Sequence, residues 1–398
     1  MLSRFPNLAE KSDGSNDFSR ARFAVSLTFI LNGFAVGTFI SRIPDFKHIL
    51  HLSNTVLGNS LFFSSIGVLA AISPAGRNAA RRGSAPVVFA STIALAISVP
   101  FIGLLFNLPF LWLSLFVYGF FQSCQDLSMN AHAVTLEQKS TKRMMSVFHA
   151  MWSIGSLCGG AIGGVISQLG IKPIWHTLVV GAIIAAIGVW LRPWFLPPSA
   201  DIHPIDSKKR TKRPKIFWIY GLLGMCAAIP EGAAADWGGI LARDTYHATP
   251  FLSTLPFVFF ASTMVMGRLS GDLVAHRFGT MRALSYSGLL GACGLTIGLL
   301  VNNIYGEIFG WIILGFGMSL GIPLTISAAG STANKNYFGI ISSAEAVAMV
   351  SGISYFGFVI GPPCMGYLAD HLTLHSALFV IVSLALILAI GSRISIKD

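Results

Sequence analysis

Residues 197–214 read PPSADIHPIDSKKRTKRP, and this polar, basic segment separates two groups of six apolar stretches. A helix needs about 20 apolar residues to cross the hydrocarbon core of a bilayer, and each of the twelve stretches is long enough. The sequence therefore predicts an all-α membrane protein with twelve transmembrane helices. Two six-helix bundles, 1–196 and 215–398, are joined by a cytoplasmic linker at 197–214. The predicted spans are 22–42, 55–76, 85–106, 109–135, 144–169, 174–195, 215–242, 250–270, 282–302, 306–331, 338–367 and 372–392.

The composition and the charge distribution agree with a membrane-embedded chain. Hydrophobic residues make up 54% of the 398 residues and charged residues only 11%, whereas a soluble domain carries roughly 25% charged residues. With both termini in the cytoplasm, all but four of the 27 Lys and Arg residues fall on the cytoplasmic side. This bias is typical of multi-pass membrane proteins, so we expect the net charge of +11 to contact lipid headgroups and not nucleic acid. The four exceptions are Arg42, Lys47, Lys172 and Arg243.

The sequence contains no motif typical of an enzyme, a cofactor site or a metal site. It lacks a phosphate-binding glycine loop with a lysine, a nucleophile elbow and zinc-ligand spacing. The five cysteines all fall within apolar spans, where they are expected to pack as small side chains. The polar first 20 residues predict no removable signal peptide. We therefore expect no enzymatic activity, no cofactor and no metal, and a gradient as the energy source.

The two groups of six spans resemble each other in sequence. Arg81 and Gly83 recur 196 residues later as Arg277 and Gly279, and Gly155 recurs 202 residues later as Gly357. The constant offsets predict a parallel six-plus-six repeat. Repeats of this kind build carriers that work by alternating access, with the solute site near the membrane midplane.

The segment GRLSGDLVAHRFG at 267–279 resembles the cytoplasmic signature loop of the major facilitator superfamily. A degenerate copy follows the second span, where the family places its first copy. The resemblance implies a gating role for both loops. Their residues are Arg77, Arg81 and Gly83 in the first loop and Gly271, Asp272, Arg277 and Gly279 in the second.

Further motifs in spans 4, 5, 7 and 11 are similar to the YbjJ-like group of bacterial inner-membrane permeases, which is distantly similar to fucose–proton symporters. This resemblance implies a monomeric carrier in the bacterial inner membrane. The sequence departs from the wider family in two places. His276 stands where the signature loop usually has Asp, and Asn32 stands in the first span, where fucose-type symporters use an acid.

Ionisable residues inside a bilayer are costly, and they usually face a bundle interior or a cavity. Glu231 lies near the middle of span 7 between Pro230 and Gly232, which predicts a broken helix at a solute site. Asp126 and His149 lie at similar depths in adjacent spans and could share a proton. We therefore predict proton coupling by Asp126, Glu231 and His149. A static kink at Glu231 and a static helix-pinning bond between Asp126 and His149 are the alternatives.

Polar and aromatic residues in the spans suit a hydroxyl-rich solute, because amides bond hydroxyl groups while an aromatic ring covers C–H faces. The alternative is that these side chains hold helices together. Asp236 lies near the outer end of span 7 and could gate the mouth, whereas the adjacent Trp237 is read as an interface anchor. The predicted substrate-binding residues are Asn32, Gln122, Gln125, Asn130, Trp152, Asp236 and Tyr355.

These features predict a secondary transporter that imports a small polar, sugar-like solute together with a proton. Its partners would be the solute, protons and the lipid bilayer. A proton-coupled exporter of amphipathic compounds is the main alternative. A transport-inactive receptor or scaffold is a weaker one, because the chain offers no sizeable soluble module for a partner.

Overall fold

A computed structural model describes residues 8–140, 144–197, 214–337 and 340–395. Apart from Pro197 and Pro214, the predicted linker lies outside these residues. The helices are α1 (Leu8–Ile49), α2 (Asn54–Arg82), α3 (Ser84–Gly103), α4 (Leu108–Gln138), α5 (Met145–Gln168), α6 (Pro173–Leu191), α7 (Lys215–Asp244), α8 (Leu255–Phe278), α9 (Thr280–Val301), α10 (Ile304–Met318), α11 (Gly321–Asn336), α12 (Ser343–His371), α13 (Leu374–Ala377) and α14 (Phe379–Ser395). Short 3₁₀ helices cover Arg192–Trp194 and Leu252–Thr254.

The helices account for all twelve predicted spans. The tenth span is divided between α10 and α11. Pro323 has no N–H to donate to the carbonyl oxygen of Ser319, four residues earlier, so the helical hydrogen bonds are interrupted there. Eleven helical segments of the described chain are long and apolar enough to cross a membrane. The remaining predicted span, 109–135, corresponds to α4, whose 31 residues are long enough but include several amides and two acids that reduce its mean hydropathy. The predicted all-α membrane fold is confirmed.

Two local predictions about chain breaks are wrong. α7 continues as one helix through Pro230, so Glu231 does not lie at a helix break. The two signature segments are not loops either, because α2 extends to Arg82 and α8 to Phe278. The turns are at Gly83 (φ 79°, ψ 157°) and Gly279 (φ 80°, ψ 158°), a conformation that is available essentially only to glycine. The two turns thus have the same geometry at positions that are 196 residues apart.

Residue contacts divide the chain into two compact units. Unit 1 contains the described residues of 1–38, 66–159 and 172–206, and unit 2 contains those of 39–65, 160–171 and 207–398. We call the ends of α1, α2 and α5 on the predicted external side their outer ends, and these ends belong to unit 2. The units therefore do not coincide with the predicted bundles 1–196 and 215–398. The division into these two bundles, which comes from the sequence repeat, stays a prediction.

Close packing inside unit 1 depends on glycines where α1 meets α5. A Cβ on Gly155 would overlap the carbonyl oxygen of Ile30, and a Cβ on Gly33 would overlap the carbonyl oxygen of Trp152. The absence of side chains here lets the two backbones approach closely. This contact fixes Trp152 next to the polar residues of α1.

We expect Gly155→Val to destabilise the protein by about 1–3 kcal/mol, because the new side chain must push α5 away from α1. Thermal unfolding of the purified protein in detergent measures the effect. Gly352→Ala in α12 is the control, since its new Cβ meets nothing within 4 Å. Equal melting temperatures for the two variants would contradict the proposed packing.

Candidate functional site

Four of the predicted solute-binding residues form one hydrogen-bonded cluster in unit 1. Asn32 Nδ2 donates to Gln125 Oε1 (2.9 Å) and to the backbone carbonyl of Gln122 (3.3 Å). Asn32 Oδ1 accepts from Gln122 Nε2 (3.1 Å) and from the indole Nε1 of Trp152 (2.9 Å). Gln125 Nε2 donates to Thr92 Oγ1 (2.7 Å), which links α3 to the cluster. We call these five residues the amide cluster.

The amide cluster has a closed centre and an accessible side. Asn32 and Gln125 are fully buried, and the amide of Asn32 has two donated and two accepted bonds. Gln122 and Trp152 are only half-buried, and the side-chain oxygen of Gln122 is not used within the cluster. Asn32 therefore holds the side chains of Gln122 and Trp152 in place, and the remaining surfaces of these two side chains can contact a solute.

The predicted Asp126–His149 pair is not formed in this structure. Asp126 Oδ1 accepts instead from Asn130 Nδ2 (3.3 Å), one helical turn further along α4. The exposed His149 ring packs edge-on against Phe29, with the centroids 5.5 Å apart. Residues four apart on a helix lie on the same face, so Asn130 is the nearer partner for the carboxylate.

Glu231 pairs with Arg268, a residue that the sequence places in a cytoplasmic loop. Arg268 Nη2 lies 3.1 Å from Glu231 Oε1 and 3.0 Å from Oε2. Arg268 lies within α8, which packs next to α7, and its side chain reaches Glu231. The relevant signal in the sequence is the arginine within the segment 252–271, which is otherwise apolar enough to cross a membrane.

Asp236 lines two narrow cavities in unit 2. The larger cavity is also lined by Ser41, Ser253 and Thr254. Trp237 is fully buried, so its predicted role as an interface anchor is wrong. Its ring packs inside the protein because α10 and α12 cover this part of α7.

The remaining predicted residues lie on α2, α8 and α12. Tyr355 is exposed on α12 and stacks at an angle against Phe358 of the same helix. Arg77 and Arg81 are exposed on α2, and Arg277 is exposed on α8 with its guanidinium over Phe278. Gly271 is buried against Leu320, and the side chain of Asp272 lies outside the described part of the structure.

The sequence gives no indication of an ion-pair network at the outer end of α1. Asp45 accepts from Arg42 Nη1 (2.6 Å), Arg243 Nη1 (2.5 Å) and the hydroxyl of Ser167 (3.0 Å). The Arg42 side chain is only 1% exposed, and its Nη2 also donates to the carbonyl of Ile171 (3.1 Å). These contacts connect α1, α5 and α7 within unit 2.

A second ion pair lies next to this network. Lys47 and His48 both contact the carboxylate of Asp244, at the end of α7. Three of the four basic residues predicted on the external side, Arg42, Lys47 and Arg243, therefore have acidic partners. We call the ion pairs made by Asp45 and Asp244 the outer network.

Glu307 is a fully buried carboxylate that is not among the predicted site residues. It lies in the first turn of α10, and its Oε1 accepts from Trp311 Nε1 (3.1 Å) one turn further along. Among the described residues, no group of three or more His, Cys, Asp or Glu side chains could hold a metal ion.

A sequence profile of the Major Facilitator Superfamily matches residues 25–345. The chain belongs to this superfamily. Curated relatives include an uncharacterised transporter, y4wD, of Sinorhizobium fredii (26% identical, 92% of this chain and 96% of the relative). The membrane protein MosC of Rhizobium meliloti is another (28% identical over 93% of this chain and 88% of MosC).

Solved structures share the fold of this superfamily member. The nucleoside transporter NupG superposes with a TM-score of 0.73 over 95% of this chain and 99% of NupG, at 11% identity. A bacterial homologue of the human lysosomal transporter Spinster gives 0.72 over 95% and 96%, at 13% identity. The predicted superfamily is therefore confirmed, and the chain is a membrane transporter of this fold.

The outer network allows a test of stability. We expect Asp45→Asn to destabilise the protein by about 3–5 kcal/mol, because the buried Arg42 guanidinium loses its ionic partner. Thermal unfolding in detergent measures this, with Lys172→Gln as control because Lys172 is exposed. If Asp45→Asn melted at the wild-type temperature, Arg42 would not depend on Asp45.

Proposed function

We propose that the protein is a secondary active transporter that imports a small polar, hydroxyl-rich solute by proton symport across the bacterial inner membrane. Both termini are cytoplasmic in this proposal. The observation that carries it is the amide cluster, in which the buried Asn32 holds the half-buried Gln122 and Trp152.

The chemistry of the amide cluster suits sugars and related solutes. The amide of Gln122 can bond hydroxyl groups, and the indole face of Trp152 can cover an apolar ring face. A nucleoside combines hydroxyl groups with an aromatic ring, and the structurally similar NupG is a nucleoside transporter. Nucleosides and sugars are therefore the first solutes to test.

Proton coupling in this proposal uses the carboxylates of Asp126 and Glu231, with His149 as a further proton carrier. Asp126 is half-buried in α4 and bonds only to Asn130 among the described residues. A carboxylate in a membrane segment without a cationic partner is costly when ionised, which favours a role in proton binding.

Alternating access requires the outer ends of α1, α2 and α5 to separate from α7, α8 and α12. The outer network holds α1 to α7, and Asp370 of α12 accepts from the backbone N–H groups of Asn54 (3.0 Å) and Thr55 (2.8 Å) at the start of α2. In the proposed cycle these contacts close the outer side and break when it opens.

Solute recognition can be tested with Trp152→Phe, which keeps an aromatic ring but removes the N–H that bonds Asn32. We expect an increase of about fivefold in the KM for uptake, since one hydrogen bond contributes about 1 kcal/mol and a tenfold change corresponds to about 1.4 kcal/mol. Radiolabelled uptake into proteoliposomes with nucleosides and sugars measures it. Trp175→Phe is the matched control because Trp175 is exposed. An unchanged KM in Trp152→Phe would remove the amide cluster from the solute site.

Proton coupling can be tested with imposed pH gradients. We expect uptake to increase when the outside is acidic and an uncoupler to abolish accumulation. Asp126→Asn should reduce gradient-driven accumulation at least tenfold but retain downhill exchange, whereas Asp17→Asn, at an exposed position, should transport normally. Accumulation that is indifferent to the uncoupler would rule out proton symport.

A further inference from the structure

The Glu231–Arg268 pair places opposite charges inside the membrane-spanning part of unit 2. Glu231 lies 16 residues into the 30-residue helix α7, and Arg268 belongs to the candidate span 252–271. The Arg268 side chain is 41% exposed and the Glu231 side chain 26%. The pair is therefore partly accessible, unlike the fully buried centre of the amide cluster.

The arginine uses only part of its hydrogen-bonding capacity. Arg268 Nη2 contacts both oxygens of Glu231, whereas Nε and Nη1 have no partner among the described residues. A guanidinium carries five N–H donors in a planar fork that matches carboxylate and phosphate oxygens. Arg268 can therefore bind a second anionic group with its remaining donors.

Protonation of Glu231 would leave the Arg268 guanidinium without a negatively charged partner. If Glu231 takes up a proton during transport, the guanidinium loses its counter-ion in a region where an unpaired charge is costly. An anion that arrives with the proton removes this cost. Proton uptake by Glu231 and anion binding by Arg268 therefore favour each other.

We propose that the transported solute carries an anionic group, a carboxylate or a phosphate, that replaces Glu231 as the partner of Arg268 when Glu231 is protonated. This proposal rests on the proposed function and narrows its substrate class. One proton enters with one negative charge for a monoanion, so the loaded carrier gains no net charge. A neutral solute and a proton would instead add one positive charge.

The other described charged side chains on the helices that pack against α7 and α8 lie near helix ends. Asp272 of α8 is four residues from Arg268, and its side chain lies outside the described part of the structure. Arg268 is the charged group that faces Glu231. The others near helix ends are Lys335 of α11, Glu345 and Asp370 of α12, Arg393 of α14, Arg282 of α9, Glu307 of α10 and, on α8 itself, His276 and Arg277. On α7 itself, Asp236 lies five residues from Glu231, on a different part of the helix surface.

Ligand binding to the purified full-length protein tests this proposal with matched pairs. The probes are D-gluconate with D-glucitol, lactate with propane-1,2-diol, and uridine 5′-monophosphate with uridine. Within each pair, one compound carries an anionic group and the other is its neutral analogue. The first two acids are carboxylates and the third is a phosphate, so the pairs also distinguish these two groups. Melting temperatures and titrated affinities are measured at pH 6 and pH 8, because a ligand of the native state raises its melting temperature.

We expect at least one acid to stabilise the wild type more than its neutral partner does. Its affinity should rise as the pH falls, by up to about tenfold per pH unit when one proton binds with the ligand. Glu231→Gln mimics the protonated carboxyl group, so it should bind the acid equally well at both pH values. Arg268→Gln should weaken acid binding at least tenfold, whereas the exposed control Arg282→Gln should not.

The double variant Glu231→Gln/Arg268→Gln separates ligand binding from a static ion pair. It removes both charges, so it should remain folded but lose the response to acids. The proposal is wrong if this double variant responds to acids like the wild type, or if no acid stabilises the wild type. If only the neutral solutes bind, the charge assignment fails while the proposed uptake of polar solutes stands.

Discussion

Water is absent from the hydrocarbon core of a bilayer, so polar groups that cross it must find partners within the protein. The backbone meets this constraint by forming helices, and small polar side chains meet it locally. Thr28, Ser60 and Ser354 each donate to the carbonyl oxygen four residues earlier on their own helix. These local bonds make many hydroxyl groups compatible with membrane spans, and such residues need no functional explanation.

Larger polar groups cannot satisfy themselves in this way, and their partners come from other helices. The amide of Asn32 needs four bonds and receives them from α4 and α5, while Asp45 needs the guanidinium groups of Arg42 and Arg243. Such groups hold helices together, but they differ in how completely they are satisfied. Gln122 and Arg268 retain unused hydrogen-bonding capacity and are partly accessible, as their proposed contacts with a solute require.

The sequence predicted the membrane fold well because hydropathy depends on composition over about 20 residues. It also pointed to Asn32, Gln122, Gln125 and Trp152, because polar residues in apolar spans are few. The structure brings these four residues together in one hydrogen-bonded cluster, while their role in solute binding stays a prediction. It could not identify the partners. Asp45 and Arg243 are 198 residues apart, and Glu231 and Arg268 are 37 apart, so only the folded chain shows that they meet. Pro230 was misread because a helix tolerates proline when neighbouring helices support it.

Three of the four basic residues that depart from the charge bias also depend on such partners. A cation on the external side weakens the signal that orients a membrane protein, so its presence calls for a compensating role. Arg42, Lys47 and Arg243 have one in the outer network, where each binds Asp45 or Asp244. Lys172 lies exposed at the start of α6. Where a residue opposes the general charge pattern of a membrane protein, a specific contact is therefore the first explanation to examine.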